Sequence, residues 1–289
     1  MNIFQWHLTP ILVVAVLLFP NTVSAHQPRI VETPVINVIQ PEISKAYYGT
    51  LLGAPQMFRI SSDAPFNLYV NVLVPDISGQ KTDVSAVIYK DGSSTPYQVL
   101  SAEGFAWKQM WEPIGHNMYL QGPEFKSRAD AGEYEIRVSS PNNDSKYSIA
   151  VGEIESFDLT ETVNAIKLVP LLKRDFFNES PIGFILSPMG IGYVVVMFIL
   201  CGIFGLLYRY LLRLMARKYM PLSPRTSKKN IGTGDRLLRT CIGLALFFLA
   251  ILTSWSPILL FFSGFCFFEA MFSWCGFYAA IGKTTCPIE

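Results

Sequence analysis

Between Val35 and Val151 the apolar residues recur at every second position. Phe66, Leu68, Val70, Val72 and Val74 share one side of an extended segment, Tyr134, Ile136 and Val138 one side of another, and Tyr147, Ile149 and Val151 one side of a third. Period two marks a half-buried strand, because successive side chains point to opposite faces. Ser78-Gly79, Asp91-Gly92 and Pro141-Asn142-Asn143-Asp144 interrupt these runs at intervals that suit an antiparallel sandwich. After Glu155 the period lengthens. Leu159, Val163, Ile166 and Val169 or Pro170 predict a short amphipathic connector, expected as a juxtamembrane stalk over 154–187. Beyond it the polar positions vanish from long stretches. Three apolar segments, 188–213, 237–255 and 258–280, are each about 20 residues long or more, enough to cross ~30 Å of hydrocarbon as helix. The last two are separated by Trp255-Ser256-Pro257 and predict a membrane hairpin over 237–289.

The first 25 residues have a separate pattern. The apolar run Ile11 to Phe19 is too short to span a bilayer, and Val23-Ser24-Ala25 is a small-residue cleavage site, so 1–25 reads as a signal peptide removed after Ala25. Residues 26–153 then form an exported all-β unit. Within it, Asp130-Ala131-Gly132-Glu133-Tyr134 has the spacing of a tyrosine corner, in which a phenol at a strand start bonds back to upstream backbone. Asp130, Gly132 and Tyr134 are therefore expected as structural residues. The fold class predicted is mixed: an exported immunoglobulin-like or jelly-roll sandwich plus three α-helical transmembrane segments.

Composition agrees with two environments. The chain is 51% hydrophobic and 16% charged, with a mean hydropathy of +0.32, too apolar for an average soluble protein and too polar for one wholly within a membrane. A formal net charge of +1 hides an asymmetry: His26 to Ser187 holds 13 Lys and Arg against 19 Asp and Glu, or −6, whereas Arg209 to Arg239 holds nine basic residues and only Asp235, or +8. Short basic loops resist translocation, so the loop 214–236 is expected in the cytoplasm with the C-terminus, and the β unit outside, periplasmic or extracellular. Beside membrane helices this basic run reads as topology and not as a nucleic-acid site. All five cysteines lie in or next to apolar segments, so the exported unit has no disulfide and must rely on its own core.

The pattern Asn230-x-Gly232, Asp235-Arg236, Arg239 and Gly243, followed by Trp274-Cys275, Tyr278, Gly282 and Thr285-Cys286, resembles the YgaP-like transmembrane domain, a two-helix unit of the bacterial inner membrane. The resemblance covers about 228–289 and implies an inner-membrane location. It departs from the family where Cys275-Gly276 replaces the usual Cys-Pro. In the best-known members the unit follows a rhodanese domain, and nothing in this chain is similar to one, so the resemblance implies no activity. The stretch from Gly132 through Val151 also looks loosely like the closing strands of pre-peptidase C-terminal domains.

Candidate chemistry is sparse. Glu269 is the one acid well inside an apolar segment, and a buried carboxylate needs a partner. Counting from the turn puts Thr240 and Arg239 within reach, leaving either a proton or ion relay or a structural bond between helices. Cys241 and Cys275 come out nearly level in depth, with Cys286 just beyond, which allows a thiol relay or two inert small hydrophobes. His26 would begin the mature chain, and a free amine plus imidazole chelates copper, but His116 is the only other histidine outside the signal peptide. Phe105, Trp107 and Trp111 alternate like one strand face and read as core. No nucleophile triad, zinc signature, P-loop or dinucleotide fingerprint occurs, and no cofactor is expected. The reading is a membrane-anchored, non-catalytic binding or sensing protein. The alternatives are a membrane component handling sulfur or metal through Cys241, Cys275, Cys286 and Glu269, and a structural subunit of an envelope complex. The expected partners are the lipid bilayer and, through the transmembrane helices, a protein or a second copy.

Overall fold

The computed structural model describes residues 26–219 and 229–286. The signal-peptide reading and the centre of the basic loop lie outside the described residues. The chain divides into two compact units, Met1–Met189 and Gly190–Glu289.

The first unit is built from eleven strands in two sheets. The six-stranded sheet has the order β1 (Gln27–Ile30), β3 (Lys45–Thr50), β11 (Lys146–Val151), β5 (Phe66–Pro75), β9 (Asn117–Ala129), β8 (Lys108–Glu112). The five-stranded sheet has the order β2 (Val35–Asn37), β4 (Gln56–Ser62), β10 (Gly132–Ser139), β6 (Ser85–Lys90), β7 (Gln98–Leu100). Pairing is antiparallel except at the edges β1–β3 and β2–β4. The alternating residues supply the shared core: Phe66, Leu68, Val70, Val72 and Val74 of β5 and Tyr147, Ile149 and Val151 of β11 meet Phe58, Ile60, Ile88, Tyr134, Ile136 and Val138. Tyr47 and Phe58 close the gap between the sheets with ring centroids 5.2 Å apart.

The segment expected as a stalk belongs to this unit. Helix α1 (Leu159–Asp175) is capped by Asp158, whose Oδ1 accepts from the Glu161 backbone N–H at 2.7 Å. It buries Ala165, Val169, Pro170 and Leu172, while Leu159 is 80% exposed and Val163 is exposed too, so its inward face includes the predicted Val169 and Pro170 but is rotated away from the rest of the predicted set. Leu172, Phe176 and Phe177 pack on Leu73, Tyr119 and Ala150 of the six-stranded sheet. This docking explains why β5 is buried on both faces beyond Asn71, where strict alternation ends. Lys146 reinforces it by donating to the carbonyls of Asp175 at 2.8 Å and Phe176 at 2.9 Å, where unpaired helix carbonyls favour a cation. A 3-10 turn, Pro181–Leu186, follows.

The second unit is helical. Helix α2 (Pro188–Tyr219) runs past the boundary at 213 expected from its apolar run, because Arg and Lys are good helix formers. The hairpin consists of α3 (Thr233–Leu252) and α4 (Pro257–Phe272), joined through Ser254 and Trp255, both at positive φ. Helix α3 starts before 237, with Asp235 in its first turn. Helix α4 does not run to 280: Ser273 adopts φ 52°, ψ 35°, the chain breaks, and a short helix α5 (Gly276–Ala280) follows. By length and composition, Pro188–Met215 is the helix among the described residues that is long and apolar enough to cross a membrane, while Pro257–Phe272 is a shorter apolar helix.

Candidate functional site

The break after α4 is where the polar residues of the second unit converge. Asn230 is fully buried and its amide grips the backbone of Cys275 on both sides, donating through Nδ2 to the carbonyl at 2.8 Å and accepting from the N–H at 2.7 Å. The backbone N–H groups of Asn230 and Ile231 donate to Ser273 O, so the residues preceding α3 satisfy the groups that ending α4 leaves unpaired. Arg236 Nε donates to Ala270 O at 2.9 Å, a second cap on the same helix end. Thr285 accepts from the Gly232 N–H at 3.0 Å and donates to Asp235 Oδ2 at 3.2 Å, tying the tail to the start of α3.

Glu269, 4% exposed, pairs with Arg239, whose Nη1 donates to Oε2. Of the two partners the sequence offers, Thr240 is turned away, donating instead to Arg236 O at 2.9 Å. Arg239 also lies 3.5 Å from Asp235 Oδ1 and has its guanidinium 5.3 Å from the centre of the Tyr278 ring. Further along the hairpin, Ser263 donates to Gly243 O at 2.8 Å. Asn230, Glu269 and Ser263 thus find partners within the hairpin, as burial in a poorly hydrated setting requires, while the buried Arg239 Nε makes no hydrogen bond and has Asp235 only at ion-pair distance.

The cysteines are not gathered. Arg236, Arg239 and Gly243 occupy the α3 face toward α4, and Cys241, two residues from Arg239 and Gly243, falls about 200° around the helix from each. It is exposed, whereas Cys275 is buried. The count that put Cys241 and Cys275 level assumed a helix unbroken to 280, whereas α4 ends at Phe272 and Cys275 lies in the break, held by Asn230. Cys286 is part-exposed, its N–H donating to Thr284 Oγ1 at 3.2 Å. The departure at Gly276 also has a physical setting. A Cβ there would overlap the Tyr208 ring of α2, so a side chain at this position and this packing of Tyr208 exclude one another. Gly205 lies against Phe268 in the same way, while Gly202 faces open space.

In the β unit, Tyr134 donates from its hydroxyl to Asp130 O at 3.0 Å, and Gly132 adopts φ 145°, a backbone region that side chains disfavour. His26 meets Ser44 through Nδ1, and burial lowers its pKa. His116 stacks edgewise on Trp111, 4.4 Å between centroids. The Phe105, Trp107 and Trp111 alternation is not one face: the strand begins only at Lys108, Trp107 packs on the core, and Trp111 is 46% exposed.

Two features escaped the sequence. Lys173 is 0% exposed and its ammonium donates to His116 O, Asn117 Oδ1 and Glu179 Oε2 at 2.8, 2.9 and 3.1 Å. Glu112 beside it accepts from the N–H groups of Ile114 and Gly115, yet burial still raises its pKa. The second is an open groove of about 570 Å³ across the outer face of the five-stranded sheet, floored by Arg59, Tyr89, Glu135 and Arg137 and walled by Ile39-Gln40 and Gly92-Ser93. Nothing in the pattern singles these residues out, since the polar alternates of any half-buried strand look the same.

Residues 227–289 match the family described as inner membrane protein YgaP-like, transmembrane domain, which places this segment in contact with a lipid bilayer. No curated protein matches the chain. Among solved structures, the pre-peptidase C-terminal domain of a collagenase from Bacillus anthracis is similar at 11% identity, over 44% of this chain and 95% of that one, with a TM-score of 0.25. CorA, a surface-associated copper-binding protein of Methylomicrobium album BG8, is similar at 8% identity, over 44% of this chain and 100% of that one, with a TM-score of 0.23. Scores this low carry no argument about function. The family match concerns the C-terminal hairpin alone and leaves the role of the β unit to its own surface.

Proposed function

We propose that this is a membrane-anchored, non-catalytic binding or sensing protein of a bacterial inner membrane, whose β unit is an immunoglobulin-like or jelly-roll sandwich that engages a ligand outside the membrane. In this reading the signal peptide exports residues 26–187, three helices hold the chain in the bilayer, and the basic loop and C-terminus stay in the cytoplasm. The YgaP-like hairpin is a closed structural anchor, and Glu269 is one of its bonds. Charge asymmetry supports the orientation.

One observation carries the binding role: the two sheets are unequally covered. Helix α1 and the Phe176-Phe177 pair close the outer face of the six-stranded sheet, while the five-stranded sheet keeps an open groove with fixed polar groups. A preformed concavity with a few convergent polar side chains is what recognition sites share. The test is a photo-cross-linking amino acid in place of Ser61, at the groove, in the full chain expressed in cells. A specific adduct is expected, lost when Arg59 and Arg137 are both replaced by Ala. Adducts no different from those of a probe at exposed Leu52 would sink the reading.

A further inference from the structure

The groove's chemistry narrows its ligand. Glu135 accepts from Arg59 Nε at 3.3 Å and from Arg137 Nε at 2.6 Å, so each guanidinium is fixed along one edge. Among the described residues the terminal nitrogens of both make no hydrogen bond to protein. The Arg137 guanidinium also lies over the Tyr89 ring, 4.6 Å from its centroid, making a flat, ordered surface in the floor. The Asn37 and Gln40 amides and the Glu133 carboxylate line the same groove, and among the described residues their side chains are likewise without hydrogen bonds.

The lining therefore offers spare donors and spare acceptors together, around an aromatic surface, with two cationic and two anionic groups. An anionic ligand would meet Glu133 and Glu135, and a cationic one Arg59 and Arg137, each like-charge approach costing affinity. A purely apolar ligand would strand every one of these groups without partners. Hydroxyl groups both donate and accept, so a ligand dense in them satisfies both sets. The flat faces of pyranose rings, which carry C–H bonds, suit contact with Tyr89. We propose that the groove binds a neutral saccharide. This rests on reading the β unit as a binding module.

The test uses the full chain in lipid nanodiscs, titrated calorimetrically with cellohexaose, maltohexaose, chitohexaose and an oligogalacturonate. At least one neutral oligosaccharide is expected to bind, with affinity falling tenfold or more in Tyr89→Ala and in Arg59→Gln and unchanged in Val99→Ala, on the same sheet outside the groove. Thermal midpoints of the variants identify any that fail to fold, and Tyr89→Phe, keeping the ring, should retain binding. Binding of the polyuronate alone, or neutral binding untouched by both groove variants, overturns the proposal. If no saccharide binds but the Ser61 probe still captures a specific ligand in cells, the ligand class is wrong and the binding role stands. If neither occurs, both fall.

Discussion

Burying Arg239 beside Glu269 takes two charges out of water, a cost that their mutual attraction, the nearby Asp235 carboxylate and the Tyr278 ring offset. The consequence is an asymmetry between single and double substitutions. Arg239→Leu leaves a carboxylate without its partner and should destabilise the hairpin by about 3–5 kcal/mol, whereas Arg239→Leu combined with Glu269→Leu should recover most of that loss. Titration of the full chain from mild detergent into SDS measures both. A single variant as stable as wild type would remove the structural reading of this pair and reopen the relay. Legibility at this scale was uneven. A lone acid in an apolar run announced that it needed a partner, and depth counting brought Arg239 to it. The same counting failed for Cys241 and Cys275, because it assumed a helix unbroken past Phe272 and says nothing of rotation about the axis, and one residue is exposed while the other is buried.

Among the elements, α1 behaves least as its sequence suggests. Its apolar spacing predicts an inward face from Leu159 to Val169, and the buried one keeps Val169 but turns toward Ala165 and Leu172, because the two phenylalanines after the helix supply the large apolar anchor against the sheet. Lys173 is drawn inward with them and reaches the β8–β9 turn, where Glu112 sits. That carboxyl has a native pKa above its ordinary value of 4.5, chiefly through burial. The unfolded chain then loses the proton first as pH rises. Stability from the protonated form is full below the ordinary value and disappears between it and the raised native value. Glu112→Gln should flatten this dependence, so the wild type should lose thermal stability relative to the variant as pH is raised from about 4 toward neutrality. Parallel curves across that range would show that burial does not govern Glu112.

For the whole molecule, the charge distribution makes the sharpest prediction. Nine basic residues against one acid between Arg209 and Arg239 should hold that stretch in the cytoplasm. Alkaline phosphatase fused near Pro224 should be inactive and green fluorescent protein fused there should fluoresce, with the opposite pair of results for fusions near Asp158. Active phosphatase at Pro224 would reverse the orientation. The sandwich, the apolar helices and the hairpin turn were legible along the chain, because strand alternation and unbroken apolar runs are local consequences of burial against one face or on all sides. The sequence also located the hairpin's polar residues, through resemblance. Tertiary structure alone decided that the supposed stalk docks on a sheet and that α4 ends at Phe272, where Asn230 satisfies the broken backbone from across the hairpin. It alone brought Arg59, Tyr89, Glu135 and Arg137 from three strands into one groove. Each of these depends on contacts between residues tens of positions apart, and a periodic pattern read along the chain records which side of an element is buried but not what lies against it.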